Sequence, residues 1–302
     1  MKKSLLLLAL LGLSLSGFAQ QDPLYAQYIN NPMVINPAYA GLNNNFNASI
    51  SYRNQWGGFD GNPVTMNVNS HLSLVDNKVG VGMLLVQATI GNVKNTEFQA
   101  AFSYKLKLED KTFSFGMQAG VINFRNNFDN LNLANKADQV FIQNENLSKP
   151  NIGAGAILKS EKYFIGLSVP RLLSTTISNG GQDLQLYNQH YYLFGSYVFY
   201  LSERIRLKPS VLLKGVKGSP LSTDLNFNVN IDANYTAGVF TRNFNAYGLL
   251  LQAKLSDRYK FGYTFELPTN QSVGTRFNTH ELFLGIVLPV LSYHDRGVIS
   301  NF

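Results

Sequence analysis

From residue 46 onwards, hydrophobic and polar residues alternate with a period of two, which is the pattern of β-strands with one apolar face. In the stretch 64–74, for example, mostly apolar residues at every second position interleave with Thr, Asn, His and Ser. No part of the chain carries an amphipathic helical pattern of comparable regularity. The pattern therefore predicts an all-β protein.

The alternating stretches are long, with about ten residues each on average, as expected for strands that cross an outer membrane and longer than the about 5–6 residues typical of soluble strands. The predicted strands are 46–53, 64–74, 79–88, 96–108, 112–124, 152–159, 163–169, 189–200, 204–214, 224–232, 235–241, 246–255, 258–266 and 279–290. Their lengths favour a membrane barrel of about 14 strands.

The connections between these strands alternate between short and long. Short turns such as 75–78 and 109–111 alternate along the chain with long loops such as 54–63, 125–151 and 170–188. Bacterial barrels have short periplasmic turns and longer extracellular loops, and an even strand count places both barrel ends in the periplasm. The sequence therefore predicts a single transmembrane antiparallel β-barrel over residues 46–290, in a bacterial outer membrane.

The first nineteen residues have the features of a secretory signal peptide. Lys2 and Lys3 precede an apolar run, and Gly17 and Ala19 are the small residues of a cleavage site. The apolar run is shorter than the roughly 20 residues of a membrane-spanning helix. We expect residues 1–19 to be removed, 20–45 to form an N-terminal arm, and 291–302 to form a C-terminal tail.

The arm is rich in X-Pro steps and aromatic residues. Proline at positions 23, 32 and 37 disfavours a continuous helix and indicates turns or extended backbone. The aromatic side chains between the prolines need a surface on which to pack. We predict an ordered periplasmic arm that folds against the barrel or into it.

Composition and charge exclude several kinds of site and argue against one class of partner. Charged residues make up 14% of the chain and there is no cysteine, which excludes disulfide scaffolds and thiolate chemistry. The formal charge of +7 could indicate nucleic acid, but secretion argues against that partner, and a lumen or anionic-lipid contact is the better account. The spacing of the histidines suits no metal site, and we expect no cofactor. Basic residues are assigned to inward faces at Lys105, Lys107, Arg204, Arg206, Lys208 and Lys214.

Tyrosines and glycines on the strands suggest further features of the wall. Outward tyrosines could form the aromatic girdles at the membrane interfaces, at Tyr52, Tyr104, Tyr191, Tyr197, Tyr259 and Tyr263. Strand glycines let a wall bend or let a plug approach closely, at Gly80, Gly82, Gly116, Gly120, Gly153 and Gly155.

Several short motifs together resemble the N-terminal signature of the PorP/SprF family of type IX secretion. The sequence reads Asp-Pro-x-x-x-Gln-Tyr from residue 22, then Asn-Pro, then Asn-Pro-Ala-Tyr-Ala-Gly from residue 36, then Tyr-Arg-Asn-Gln-Trp from residue 52. Further matches are 79–82, 90–91, 261–268 and 279–282. The motif residues that could contact partners are Asp22, Pro23, Gln27, Tyr28, Asn31, Pro32, Asn36, Pro37, Tyr39, Gly41, Arg53 and Trp56.

The resemblance implies an outer-membrane component of type IX secretion and gliding. Such a protein would help to export secreted proteins such as adhesins or to retain them on the cell surface, and could contact periplasmic components of the machinery. Its expected partners are outer-membrane lipid and such secreted proteins. For Trp56, both an anchor at the membrane interface and a partner contact remain open.

Two other functions are compatible with the pattern. Fourteen strands can enclose a channel, so a diffusion porin or a small-molecule transporter is the alternative. His71 and Ser73 share one polar strand face, an arrangement that a lipase would need to complete with a third, orienting group. We interpret this pair as lining of the lumen and expect no enzymatic activity.

Overall fold

The computed structural model describes residues 27–289, except 30, 75, 128–144, 180–181 and 270–274. Three short 3-10 helices, Gln27–Ile29, Pro32–Val34 and Pro37–Tyr39, precede the strands. The strands are β1 Asn45–Asn54, β2 Val64–Leu74, β3 Val79–Ile90, β4 Val93–Leu108, β5 Lys111–Asn126, β6 Glu145–Lys159, β7 Tyr163–Val169, β8 Thr175–Asn179, β9 Gln182–Tyr187, β10 His190–Tyr197, β11 Phe199–Tyr200, β12 Ile205–Val216, β13 Ser222–Ile231, β14 Tyr235–Arg242, β15 Ala246–Lys254, β16 Tyr259–Pro268 and β17 Thr279–Pro289. No helix among the described residues is long and apolar enough to cross a membrane.

The wall closes into a barrel of fourteen antiparallel strands. Neighbours along the chain pair with one another, β1 pairs with β17, and β10 pairs with β12 across the excluded hairpin β8–β9. The short β11 continues β10 after a break at Val198 and pairs with the same partner, β12. The two therefore form one wall strand, and the predicted count of about 14 is confirmed.

The predicted and observed strand boundaries agree best where apolar and polar residues alternate regularly. The predicted strands 64–74 and 163–169 match the structure, whereas β5 and β6 both extend into the predicted loop 125–151. There the residues are polar and include Pro150, so the strand continues where sequence periodicity has faded. The predicted loop 170–188 was wrong in one respect, because it contains the hairpin β8–β9.

Burial is inverted relative to a water-soluble protein. Large apolar side chains such as Leu251, Leu284 and Met117 are more than half exposed on the outer surface, while Asn67 and Gln99 are almost fully buried inside. Five of the predicted outward tyrosines are exposed, and Tyr263 is half-buried with its hydroxyl 2.7 Å from His280 Nδ1. An apolar outer belt around a polar interior is the arrangement that a lipid bilayer requires.

A charge placed on the middle of the outer belt should therefore destabilise the barrel. Leu249 lies near the middle of β15 and is exposed, whereas Leu255 is exposed just beyond the end of the same strand. We expect Leu249→Arg to lower the free energy of unfolding in lipid vesicles by about 2–4 kcal/mol, and Leu255→Arg by about 0–1 kcal/mol, because the cost falls towards the interface. Denaturant titration measures both values, and equal costs would contradict a lipid-facing belt.

Candidate functional site in the barrel interior

The N-terminal arm lies inside the barrel, so the structure decides between the two placements that its sequence allowed. Pro32 and Pro37 occupy the first positions of the second and third 3-10 helices, where a missing N–H costs nothing. Asn36 caps the third helix by accepting the Ala38 N–H at 3.0 Å. The local sequence thus encodes a chain of tight turns that is compact enough to fit a lumen.

The arm runs along the interior from the long-loop end towards the short-turn end. The Tyr28 hydroxyl accepts a hydrogen bond from Asn226 Nδ2 at 2.8 Å, four residues into β13. Gly41 lies against Leu72 and Gly80, beside the short turn between β2 and β3. By the rule for bacterial barrels, this second end faces the periplasm.

Apolar contacts hold the first part of the arm. Tyr28, Ile29 and Ile35 form a buried cluster with wall side chains, and the Tyr28 and Phe194 rings meet edge to face with centroids 5.9 Å apart. Met33 and Ala40 belong to a second cluster on the opposite side of the lumen. The arm therefore supplies a hydrophobic core that the polar inner wall lacks.

Wall hydroxyls satisfy the carbonyl groups of the arm. Ser168 donates to the Ile35 carbonyl at 2.6 Å and Ser114 donates to the Ala38 carbonyl at 2.7 Å. Ser103 donates to the Ala40 carbonyl at 2.6 Å. These serines lie on three different strands, β7, β5 and β4, so the arm is hydrogen-bonded to a broad sector of the wall.

The last turn of the arm is held by charged and aromatic residues. The Gly41 N–H donates to His71 Nδ1 at 3.1 Å, and Lys105 donates to the Gly41 carbonyl. Tyr39 packs edge-on against the His71 ring, with centroids 5.4 Å apart. Gly41 has φ of +59°, and a Cβ atom there would overlap the Leu72 carbonyl, so only glycine suits this position.

Asn36 links the arm to two neighbouring strands. Its Nδ2 group donates to the carbonyls of Ala156 on β6 and Leu167 on β7, both at 3.2 Å. Gly155 lies beside it, and a Cβ atom at Gly155 would overlap the Asn36 carboxamide oxygen. A wall glycine thus makes room for the side chain that hydrogen-bonds the arm to two neighbouring strands.

Other strand glycines also mark where the arm meets the wall. Cβ atoms at Gly80 and Gly116 would overlap backbone atoms of Ala40 and Ala38, and one at Gly82 would lie 2.5 Å from the Met33 methyl carbon. Close approach of a plug, one of the two roles that the sequence suggested for these glycines, therefore applies to them.

A buried ion-pair cluster occupies the interior towards the long-loop end. Arg53 on β1 donates to Glu266 at 3.1 Å and to Glu281 at 3.2 Å. Arg242 on β14 contacts the same Glu266 at 3.2 Å and Asp224 on β13 at 3.2 Å. The cluster joins the β1–β17 closure seam to strands on the far side of β16, and all five residues are less than a tenth exposed.

A second buried pair holds the segment after β7 in the lumen. Arg171 forms a salt bridge with Glu97 on β4. The Pro170 carbonyl accepts from Gln118 Nε2 at 3.0 Å and from Asn151 Nδ2 at 2.9 Å. This segment therefore covers part of the interior from the side opposite to the end of the arm.

The residues singled out from the sequence fall into five groups. Asp22 and Pro23 lie outside the described residues, and Gln27 begins the first 3-10 helix. Arg53 belongs to the ion-pair cluster. Trp56 is half-buried in the first long loop, where its backbone N–H donates to Thr279 Oγ1 at 3.2 Å. The arm residues that the structure brings together in the lumen are Tyr28, Asn31, Pro32, Asn36, Pro37, Tyr39 and Gly41.

Sequence reasoning missed most of the ion-pair cluster. Glu266 and Glu281 stand within motifs that were noted, but no role was assigned to them, and Arg242 and Asp224 were not singled out. The available signal was an acidic or basic residue on the inward face of a spanning strand, where an unpaired charge is costly.

The possible His71–Ser73 pair does not form a hydrolytic arrangement. His71 Nδ1 accepts a hydrogen bond from the Gly41 N–H rather than from the Ser73 hydroxyl. Ser73 Oγ contacts Asn77 and accepts a hydrogen bond from Lys105 at 2.7 Å. Within the described ranges, no group of three His, Asp or Glu side chains is placed to hold a metal ion.

Because the arm packs tightly against some wall glycines, an added methyl group should destabilise the barrel more at those positions than at a wall glycine away from the arm. We expect Gly116→Ala to reduce the free energy of unfolding by about 1–3 kcal/mol, because the new methyl group overlaps the arm backbone. Gly195→Ala is the matched control, since a Cβ atom there would lie 3.7 Å from Val211. Urea unfolding followed by the fluorescence of Trp56, the chain's single tryptophan, compares them. Equal midpoints would show that the arm does not press on this wall position.

Removing one partner of the buried cluster should be costly. We expect Arg53→Met to destabilise the barrel by about 3–5 kcal/mol, because it removes the buried cation that lies between the carboxylates of Glu266 and Glu281. The control is Arg204→Met in the exposed turn before β12, where the Arg204 hydrogen bond holds the pKa of Asp232 below its usual range. We expect only a small change there, as measured by the same urea unfolding. A loss for Arg53→Met no larger than that of the control would contradict a stabilising role for the cluster.

Comparison with known proteins agrees with this architecture. The chain is similar in fold to a FadL homologue of Pseudomonas aeruginosa, with a TM-score of 0.51 and 10% identity over 91% of this chain and 96% of that one. It is similar also to the Pseudomonas putida toluene transporter TodX, with a TM-score of 0.50 and 11% identity over 87% and 95% of the two chains. No curated protein matches the chain.

A family model described as "Type IX secretion system membrane protein PorP/SprF" matches residues 17–286. The match spans the whole arm and nearly all of the barrel wall described above. Together with the lipid-facing belt, it places the protein in the outer membrane. The chain belongs to the PorP/SprF family of type IX secretion system membrane proteins.

Proposed function

We propose that this barrel is a non-enzymatic component that helps the type IX machinery to export secreted proteins, such as the adhesins of gliding cells, or to retain them at the surface. The observation that carries the proposal is the filled interior. The arm is hydrogen-bonded to wall strands at Ile35, Ala38 and Ala40, and the Arg53 cluster and Pro170 segment fill more of the lumen. A barrel occupied in this way is suited to hold partners at its ends.

The long-loop rim offers a surface for a secreted partner. Phe59 is about half exposed there and meets Phe277 edge to face at 5.5 Å, and the Gly57 N–H donates to the Asn278 carbonyl at 2.8 Å. These contacts tie the first long loop to the last one. Exposed aromatic side chains on a braced rim are typical anchors of protein interfaces. Trp56, in the same loop, is part of this proposed surface.

The motif residues of the arm have a different proposed role. Asn36 and Gly41 are buried in the lumen and Tyr39 is partly buried there, so they would act on partners through the position of the arm. Asp22 and Pro23 remain proposed partner contacts, and periplasmic components of the machinery are proposed to meet the barrel at its short-turn end.

Affinity isolation from outer membranes tests the proposal. We expect the wild-type barrel to recover a secreted protein with a type IX C-terminal domain or components of the machinery. We expect Phe59→Ala to reduce recovery of the secreted protein severalfold, because the variant removes an exposed anchor. Phe199→Ala, equally exposed at the opposite end, should leave recovery of the secreted protein unchanged. Recovery of only lipids and unrelated porins by the wild-type protein would contradict the proposal.

The second candidate function is transport of a small molecule. It is favoured by the fold likeness to TodX, which is described as a toluene transporter. Planar-bilayer recording separates the two functions. The filled interior predicts that the purified barrel conducts no steady current, whereas a steady open-channel current would support the transporter.

A further inference from the structure

The inner wall carries a group of lysines at its short-turn end. Lys105, Lys159, Lys208 and Lys260 lie near the ends of β4, β6, β12 and β16, on strand faces that point into the lumen. Of the other inward basic residues that the sequence suggested, Lys107, Arg204 and Arg206 are exposed at the rim, while Lys214 is buried further along β12.

Three of these lysines form a cationic cluster without a carboxylate partner. Lys208 lies within electrostatic reach of both Lys159 and Lys260. In the part of the chain that the structure describes, Lys208 and Lys260 make neither an ion pair nor a side-chain hydrogen bond, and Lys159 donates only to Asn43 Oδ1 at 3.3 Å. Like charges gathered in this way repel each other unless an anion lies between them.

A cavity of about 200 Å³ opens beside the cluster. Lys159 and Lys208 line it together with the polar residues Asn43, Ser160, Lys162 and Ser196, and apolar side chains of the arm and wall, including Ile29 and Phe194, form another part of its surface. A water molecule occupies about 30 Å³ of liquid volume, so the cavity has room for a polyatomic anion. Glu161 also lines it, on the turn after β6, and accepts a hydrogen bond from the Tyr200 hydroxyl at 3.4 Å.

We propose that this lysine cavity binds a phosphate group. Lysine ammonium groups act as point charges that can surround a tetrahedral phosphate from several directions, and lysine is a common phosphate ligand in proteins. The arginines of the interior are engaged in the ion-pair clusters at Arg53, Arg171 and Arg242, and the lysines at the other end are left for an anion. The apolar surface beside them suits the organic substituent of a phosphate ester.

The site couples ligand binding to the arm. Ile29, Pro32 and Tyr39 line the same cavity, so a bound phosphate would rest on the plug and the wall at once. Binding would therefore stabilise the arm in the lumen, since a ligand favours the state that offers its contacts. This inference does not depend on the proposed secretory function.

Calorimetric titration of the purified barrel with inorganic phosphate, in a neutral detergent at low ionic strength, tests the proposal. We expect Lys159→Gln with Lys208→Gln to weaken binding by about tenfold or more, because two charge-assisted contacts are lost. The control removes the same two charges at the opposite end, as Lys94→Gln with Lys217→Gln, and should bind as the wild type does. Circular dichroism checks folding, and Lys208→Gln alone replaces the double variant if that variant fails to fold.

Two further displacement titrations identify the source of the phosphate. Displacement of inorganic phosphate by micelles doped with phosphatidylglycerol would support a lipid headgroup, and displacement by glycerol phosphate alone would support a soluble ester. Wild-type protein that binds phosphate no more tightly than the Lys159/Lys208 variant, or not at all, would overturn the proposal.

Discussion

The interior of this barrel is organised by the need to pair the peptide groups of the arm away from water. Buried carbonyls without partners cost about 1–3 kcal/mol each, so a plug made of tight turns can be stable only if the wall supplies donors. Ser103, Ser114 and Ser168 do so from three strands, while Lys105 and His71 complete the last turn. The same need explains why glycines face the arm, because a side chain at those positions would hold it out of reach of these donors.

Charge is distributed so that the membrane meets almost none of it. Arginines and carboxylates pair in buried clusters towards the long loops, and lysines gather inside the opposite mouth. Amides and hydroxyls fill the remaining inner surface, which accounts for a charged content of only 14%. The Arg53 cluster also joins the closure seam to strands beyond β16, so the electrostatics of the interior and the closure of the barrel depend on the same residues.

Strand positions were predictable because one wall face must be apolar along its whole span, and this constraint leaves a period of two in the sequence. Where the strand sequence is mostly polar, as in β6 around Pro150, the alternation is lost and the strand could not be predicted. The arm was recognised as ordered from its prolines and aromatic residues. Its path could not be predicted, because partners such as Asn36 and Leu167 are far apart in the chain and no local pattern links them. The ion-pair cluster could not be predicted for the same reason.

The placement of the arm can be measured directly because the chain contains no cysteine. Ala38 is fully buried in the lumen, whereas Asn44, at the end of the arm just before β1, is exposed. In the folded barrel, Ala38→Cys should resist a bulky maleimide and react only after denaturation, while Asn44→Cys should react at once. Labelling of Ala38→Cys in the folded barrel at the rate of Asn44→Cys would contradict an arm packed inside the wall.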